Sequence, residues 1–214
     1  MDAMRDSIFA VGVEFIRKHQ ESPVALYVAK SLQVRAYDRE KAKEVVGLLP
    51  ENVKTTPKGQ QAMEALLEQP LYVGDVLPDF DVLNVDLQTV RLSTLLKKGH
   101  YTLVELWASW CGPCRADIPH LKETYQRYHE KGFEMVSISI DDDMEAWQKA
   151  VKEEDMPWTQ VCGANGKSYD KECMNLFGVS GVPSCVLIDK EGRVISTNAR
   201  GGWLNEKLAT LFKE

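Results

Sequence analysis

Thr102-Leu103-Val104-Glu105-Leu106-Trp107-Ala108-Ser109-Trp110-Cys111-Gly112-Pro113-Cys114 joins an apolar, β-branched run to two cysteines two residues apart. Thr102 to Trp107 reads as a buried strand and Arg115 to Glu130 as a helix, so the pair sits where strand passes to helix. A thiol at a helix N-terminus lies beside about half a positive charge of macrodipole and beside backbone N–H groups that the helix leaves unpaired. Both favour the thiolate. In Cys-X-X-Cys motifs so placed the pKa falls to roughly 3.5–7.5 from ~8.5. Cys111 is therefore the candidate nucleophile. Cys114, one turn further in, is the candidate resolving thiol that attacks the Cys111 sulfur of a mixed disulfide. The competing reading is half of a zinc site, which needs two more ligands, commonly a second close pair. Cys162 and Cys173 are separated by ten residues, and His100, His120 and His129 form no His-x3–5-His pair. A redox dithiol without metal is the better account.

Outward from this motif, Met135 to Ile140 and Ser184 to Asp189 repeat the short apolar pattern. Helical segments at about 113–131, 143–155, 170–177 and 203–213 separate or follow these runs, and further strands are expected near 80–84 and 193–197. The order predicts an α/β domain with a central mixed or parallel sheet flanked by helices. Residues 1–70 differ: they hold no Cys or Trp, three of the 14 glycines, and 10 basic against 10 acidic residues. Residues 71–214 carry 16 basic and 22 acidic residues, so the whole net charge of -6 belongs there. The first part reads as a small all-α segment. Ile8, Val11, Phe15 and Ile16 recur at helical spacing, Ser22-Pro23 and Thr56-Pro57 are cap-plus-proline starts, and a third helix is expected after Asp38. Two domains follow, 1–70 and 71–214, the first an accessory with nothing chemical in it.

At 44% hydrophobic and 27% charged residues, the 214-residue chain has the composition of an ordered globular protein. The acidic balance offers no basic surface for nucleic acid or anionic lipid. No run approaches the ~18 apolar residues of a membrane span. Glu14, Arg17 and Lys18 interrupt the first 20 residues and no small-residue cleavage site follows, so an export signal or anchor is expected outside this chain. Five cysteines leave at least one unpaired within the monomer.

Leu103 to Cys114 resembles the active-site strand and turn of the thioredoxin superfamily. Pro119 lies five residues after Cys114, where that family kinks its long helix; Phe177-Gly178-Val179-Ser180-Gly181-Val182-Pro183-Ser184 resembles the segment that carries its cis-proline, and Leu187-Ile188-Asp189-Lys190-Glu191-Gly192 the hairpin that follows. Gly74-Asp75-Val76-Leu77-Pro78-Asp79-Phe80 and the insertion around 141–170 are similar to the TlpA-like and ResA-like thiol-disulfide oxidoreductases, which also resemble AhpC/TSA-type peroxiredoxins. A helical segment ahead of the Pro-Asp-Phe entry is similar to one subgroup of exported TlpA-like proteins. The resemblance covers about residues 75–214 and implies a thioredoxin-like fold.

It also implies roles. Glu105 stands where thioredoxin has a buried acid that relays the proton of the second cysteine; burial near a thiol raises a carboxyl's pKa, so Glu105 can take the Cys114 proton. Asp117 matches a position where the ResA-like branch tunes its cysteines, and reads equally as a solvated first-turn acid favoured by the helix dipole. Pro183 is expected to follow a cis bond, leaving the Val182 main chain beside Cys111 for an extended substrate to pair with. Trp110, Gly112 and Pro113 complete that groove, and Trp107 belongs to the core. Cys185 reads as a buried small hydrophobe. Cys162 and Cys173 are permitted, but not required, to close a second disulfide. His100, His120 and His129 read as surface residues.

The expected activity is thiol-disulfide oxidoreduction, chiefly reduction of disulfides in exported proteins, with the Cys111–Cys114 pair as the only redox centre and no separate cofactor. The implied partners are disulfide-bearing proteins and a membrane thiol-transfer electron donor, in an extracytoplasmic setting; the oligomeric state is open. A peroxiredoxin is the rival enzyme, but Ala108-Ser109-Trp110 replaces the Pro-x3-Thr/Ser-x2-Cys loop it requires. A soft-metal chaperone gripping its cargo through the two cysteines is the rival from another class.

Overall fold

Ser22-Pro23 and Thr56-Pro57 each start a helix. Ser22 Oγ accepts a hydrogen bond from the Val24 N–H (3.2 Å) and Thr56 Oγ1 one from the Gly59 N–H (3.0 Å), while each proline sits where a missing N–H costs nothing. The computed structural model describes residues 2–32, 39–68, 71–163 and 169–213. The chain divides into two units, Met1–Val73 and Gly74–Glu214. The first holds α1 (Asp2–Lys18), α2 (Pro23–Ser31), α3 (Arg39–Leu48), a single turn α4 (Glu51–Lys54) and α5 (Pro57–Leu67). Ile16, Ala29, Leu32, Ala42, Val45, Leu49 and Leu66 form its core, and the buried Tyr72 closes it by donating its hydroxyl to the Leu66 carbonyl (2.6 Å). Asp38, expected to precede the third helix, lies outside the described residues.

The second unit runs β1 (Asp81–Asn84), β2 (Thr89–Arg91), α6 (Leu92–Leu95), β3 (Tyr101–Trp107), α7 (Gly112–Tyr128), β4 (Phe133–Ser139), α8 (Met144–Glu154), β5 (Thr159–Gly163), α9 (Tyr169–Phe177), β6 (Ser184–Ile188), β7 (Val194–Ser196) and α10 (Gly201–Leu211). Its seven strands form one sheet in the order β2-β1-β5-β4-β3-β6-β7. β3, β4 and β5 are parallel, as their helical crossovers require, and the other pairings are antiparallel. The sheet is therefore mixed, and the fold is thioredoxin-like with a small all-α segment ahead of it. Strands β2 and β5 and the one-turn helix α6 go beyond the sequence reading.

β3 lies between β4 and β6 and is buried from Thr102 onward. Strand alternation places Leu103, Glu105 and Trp107 on one face. Leu103 and Trp107 pack with Cys111, Cys114, Ile118 and Cys185, so that face looks toward the cysteine pair. Near the end of α7 the chain passes through a turn at His129–Lys131, and Gly132, at φ 102°, makes the left-handed reversal into β4 that residues with a Cβ resist. Among the described residues no helix is long and apolar enough to cross a membrane.

Candidate active site

The turn after β3 delivers Cys111 to the N-cap of α7. Its N–H bonds the Ala108 carbonyl (3.0 Å), closing the turn, and its carbonyl accepts from the Arg115 N–H (3.1 Å), opening the helix. The Cys111 sulfur in turn accepts the Cys114 N–H (3.2 Å), one of the donors that a helix start leaves unpaired. Cys111 and Cys114 are joined as a disulfide. Cys114 is fully buried, Cys111 is 4% exposed, and Trp110 beside them is 68% exposed, with Gly112 and Pro113 also open to solvent. Trp107 is core. Val182 and Pro183, joined by a cis peptide bond, are half-buried and lead directly into β6.

Glu105 is buried in the middle of β3. Its strand neighbours are Ser137 on β4 and Cys185 on β6. Ser137 donates its hydroxyl to the carboxyl (2.7 Å) and accepts the Trp158 indole N–H (2.8 Å), which fixes the direction of the serine proton. Burial raises the Glu105 pKa to about 7; the Ser137 hydrogen bond opposes that rise, the charge of Asp117 adds to it, and the charge of Arg200 lowers it.

Asp117 stands one turn beyond Cys114, half-buried, and receives the Arg200 guanidinium, with Nε 3.0 Å from Oδ2. The ion pair leaves the Asp117 side chain 36% exposed, so the acid is both solvated and paired. Arg200 is the residue that sequence reasoning missed. It is the N-cap residue of α10, makes no side-chain cap there, and instead reaches 83 positions back along the chain. No motif or periodicity links the two. Arg115, the cation nearest Cys111 in sequence, turns away to Glu153 and Glu154 on α8.

The other cysteines are buried free thiols. No bridge joins Cys162 to Cys173, and burial pushes their pKa values up to about 11 and about 12. Cys185 is also driven well up by burial, with the Glu105 charge adding to the effect. The three histidines expected at the surface are partly covered: His120, on α7, has its Nε2 buried without a hydrogen-bond partner, the His129 ring stacks on Tyr125 (4.5 Å) with its side chain still 37% exposed, and His100 lies in the loop before β3. Among the described residues no group of three or more His, Cys, Asp or Glu side chains is placed to hold a metal ion.

Residues 72–202 match the Redoxin family. The chain belongs to that family. Within this redoxin's relatives, the thiol-disulfide oxidoreductase ResA of Bacillus thuringiensis subsp. konkukian is 29% identical over 147 residues, covering 69% of this chain and 80% of ResA. ResA of Oceanobacillus iheyensis is 32% identical over 126 residues, covering 57% and 62%. Among solved structures, the thioredoxin domain of a thiol-disulfide oxidoreductase from Bacteroides vulgatus is 30% identical with a TM-score of 0.59, covering 66% of this redoxin and 99% of that domain. A thiol:disulfide interchange protein from a Bacteroides species is also 30% identical with a TM-score of 0.59, covering 68% and 93%. The redoxin is thus a TlpA/ResA-like member of the thioredoxin superfamily and a thioredoxin-like thiol-disulfide oxidoreductase.

Proposed function

We propose that the protein reduces disulfides of exported proteins through the Cys111–Gly112–Pro113–Cys114 dithiol. The observation that carries this reading is the Cys111 sulfur at the N-cap of α7, accepting the Cys114 N–H and bridged to Cys114. In the reduced protein the same N–H and the helix dipole stabilise a Cys111 thiolate. The thiolate attacks one sulfur of the substrate disulfide, and the other sulfur leaves as a thiolate and takes a proton. Cys114 then gives up its proton, for which Glu105 is the candidate acceptor, and attacks the Cys111 sulfur. The second substrate thiolate departs. Two electrons pass from the dithiol to the substrate and no further cofactor enters. Trp110, Gly112, Pro113, Val182 and Pro183 are the residues assigned to the substrate groove, Trp110 as a wall and the Val182 main chain as the strand for an extended substrate chain to pair with. Asp117, with Arg200, tunes the Glu105 carboxyl.

The extracytoplasmic setting is part of the proposal. It is supported by the likeness to ResA. In an oxidising compartment the pair must be re-reduced continually, and a membrane thiol-transfer protein is the donor that setting requires. Insulin reduction tests the core of the reading. Cys111→Ser abolishes turnover, whereas Cys114→Ser leaves a nucleophile that accumulates mixed disulfides with substrate. Turnover retained in Cys111→Ser, or faster alkylation of Cys114 than of Cys111, overturns it.

A further inference from the structure

Ser109 stands two residues before Cys111, at the corner where the chain leaves β3, and a buried carboxylate holds it there. Asp141 is 4% exposed and lies just beyond β4. Its Oδ1 accepts the Ser109 hydroxyl (2.6 Å), and its Oδ2 accepts the Ser109 N–H (2.8 Å) and the Ser139 hydroxyl (2.6 Å). The Asp141 N–H returns to Ser139 Oγ (2.9 Å), and the Ile140 N–H bonds the Trp107 carbonyl (2.9 Å), tying the ends of β3 and β4 together just below. Burying a carboxylate is costly unless donors surround it. Here three donors do so, none of them a cation, and two belong to Ser109.

We propose that Asp141 is a positioning residue for the dithiol: through Ser109 it fixes the path of the chain into α7 and so keeps the Cys111 sulfur on the Cys114 N–H. The argument is geometric. Cys111 caps α7 only if the turn from Ala108 brings it there, and Ser109 is the one residue of that turn held by side-chain bonds to another strand's end. Released, the turn lets the sulfur drift from the helix start, and a reduced Cys111 loses part of the donor and dipole stabilisation of its thiolate. The inference deepens the dithiol reading above and rests on it.

The clamp and the bare charge of Asp141 act in opposite directions. A negative charge near a thiol raises its pKa, so removing the charge alone lowers the Cys111 pKa. Loosening the clamp raises it. Other ionisable groups around the turn are Glu105 on β3, Cys162 on β5 with Asp142 near it, Asp117 held by Arg200, and Arg115 held by Glu153 and Glu154. None of them bonds Ser109, so they form a common background to every variant.

The test follows alkylation of Cys111 by iodoacetamide against pH in the reduced full-length protein. It is run in a Cys114→Ser background, which keeps the backbone N–H at that position. Ser109→Ala, which keeps the Asp141 charge, and Asp141→Ala, which loses both charge and clamp, are each expected to raise the Cys111 pKa, read as a shift of the alkylation midpoint to higher pH. Asp141→Asn keeps the size and removes the charge, and because both carboxylate oxygens accept from donors its NH2 also breaks part of the clamp; a rise there, against the fall that loss of charge alone gives, identifies the clamp. An unchanged or lowered pKa in a folded Ser109→Ala or Asp141→Asn protein overturns the proposal, even if thermal stability falls. Should Asp141→Ala not fold, the other two variants decide. The readout needs no turnover, so its failure is distinct from failure of the oxidoreductase reading, which Cys111→Ser reports.

Discussion

A carboxyl in the middle of a fully buried strand is stable as the neutral acid and costly as the anion, and Glu105 carries that cost above its pKa of about 7. The group is protonated in both folded and unfolded protein below the ordinary carboxylate value. Between that value and about pH 7 the unfolded chain ionises and the folded one does not, so stability is fully present at low pH and is lost as pH rises through the folded pKa. At about 1.4 kcal/mol per unit, the loss attributable to Glu105 is on the order of 3 kcal/mol. Glu105→Gln is expected to remove this fall, leaving the oxidised variant more stable than the parent at pH 8. Urea unfolding of both proteins at pH 5 and pH 8 checks it, and an identical pH trend in the two would show that Glu105 is not the group. The same variant, unable to take a proton, is expected to slow turnover by about 100-fold or more and to accumulate mixed disulfide at Cys111. Asp117 and Arg200 push Glu105 in opposite directions, so Asp117→Asn is expected to lower the Glu105 pKa and Arg200→Gln to raise it. A carboxyl NMR titration of Glu105 reads both signs, and movement in the same direction would refute the pair as its tuner. Both shifts shrink with added salt, because the pair is partly exposed.

At the level of elements, what sequence reveals depends on whether the signal is local. Ser22-Pro23 and Thr56-Pro57 start helices because cap and proline act within three residues, and β3, β4 and β6 stand out as short, mostly apolar or β-branched runs. β2 and α6 are three and four residues long, too short for any period to register. β5, Thr159–Gly163, is five residues long, and its pairing with β1 and β4 is settled by tertiary contact. The site divides in the same way. Cys111, Cys114, Glu105 and Pro183 are legible from one motif and its family likeness. Arg200 and Asp141 are not, since each acts across a gap that only the fold closes. Gly59 is a further case. It is the third residue of α5, where alanine is the better helix former, yet a Cβ there would lie 1.9 Å from the Val53 carbonyl oxygen and 2.8 Å from its carbon. Backbone on backbone cannot yield cheaply. Gly59→Ala is therefore expected to destabilise the helical unit by about 3 kcal/mol or more, reversing the usual gain of ~1 kcal/mol. The redoxin unit has its own core, and a solved relative limited to such a domain is folded, so dithiol activity is expected to persist. Limited proteolysis with an insulin assay reads both parts; a variant as resistant as the parent would refute the clash.

For the whole molecule, the distribution of charge bears on the direction in which electrons flow. A dithiol becomes a strong oxidant when its reduced thiolate is heavily stabilised, as at about −120 mV, whereas reducing thioredoxins lie near −270 mV. Heavy stabilisation of that kind calls for net positive charge at the nucleophile. Here residues 71–214 carry the entire net charge of -6. Arg115, the nearest cation in sequence to Cys111, is held by Glu153 and Glu154, so its field at the sulfur is largely cancelled. Arg200 is matched by Asp117. What remains for the thiolate is the start of α7: one sulfur-to-N–H bond and the helix dipole, which together lower a thiol's pKa by a moderate amount. Glu105 on β3 and Asp141 just beyond β4 add negative potential when ionised. The potential is accordingly expected near the reducing end, more negative than about −180 mV, the range where isomerases begin. Equilibration of the full-length protein with glutathione buffers, read by trapping the thiols with acid, measures it. A value more positive than that would mean that the thiolate is stabilised by something other than the helix start, and would reverse the assignment from reductant to oxidant. Because 30 mV corresponds to about 1.4 kcal/mol for a two-electron couple, the gap between the two outcomes is several kcal/mol and well within reach of the measurement.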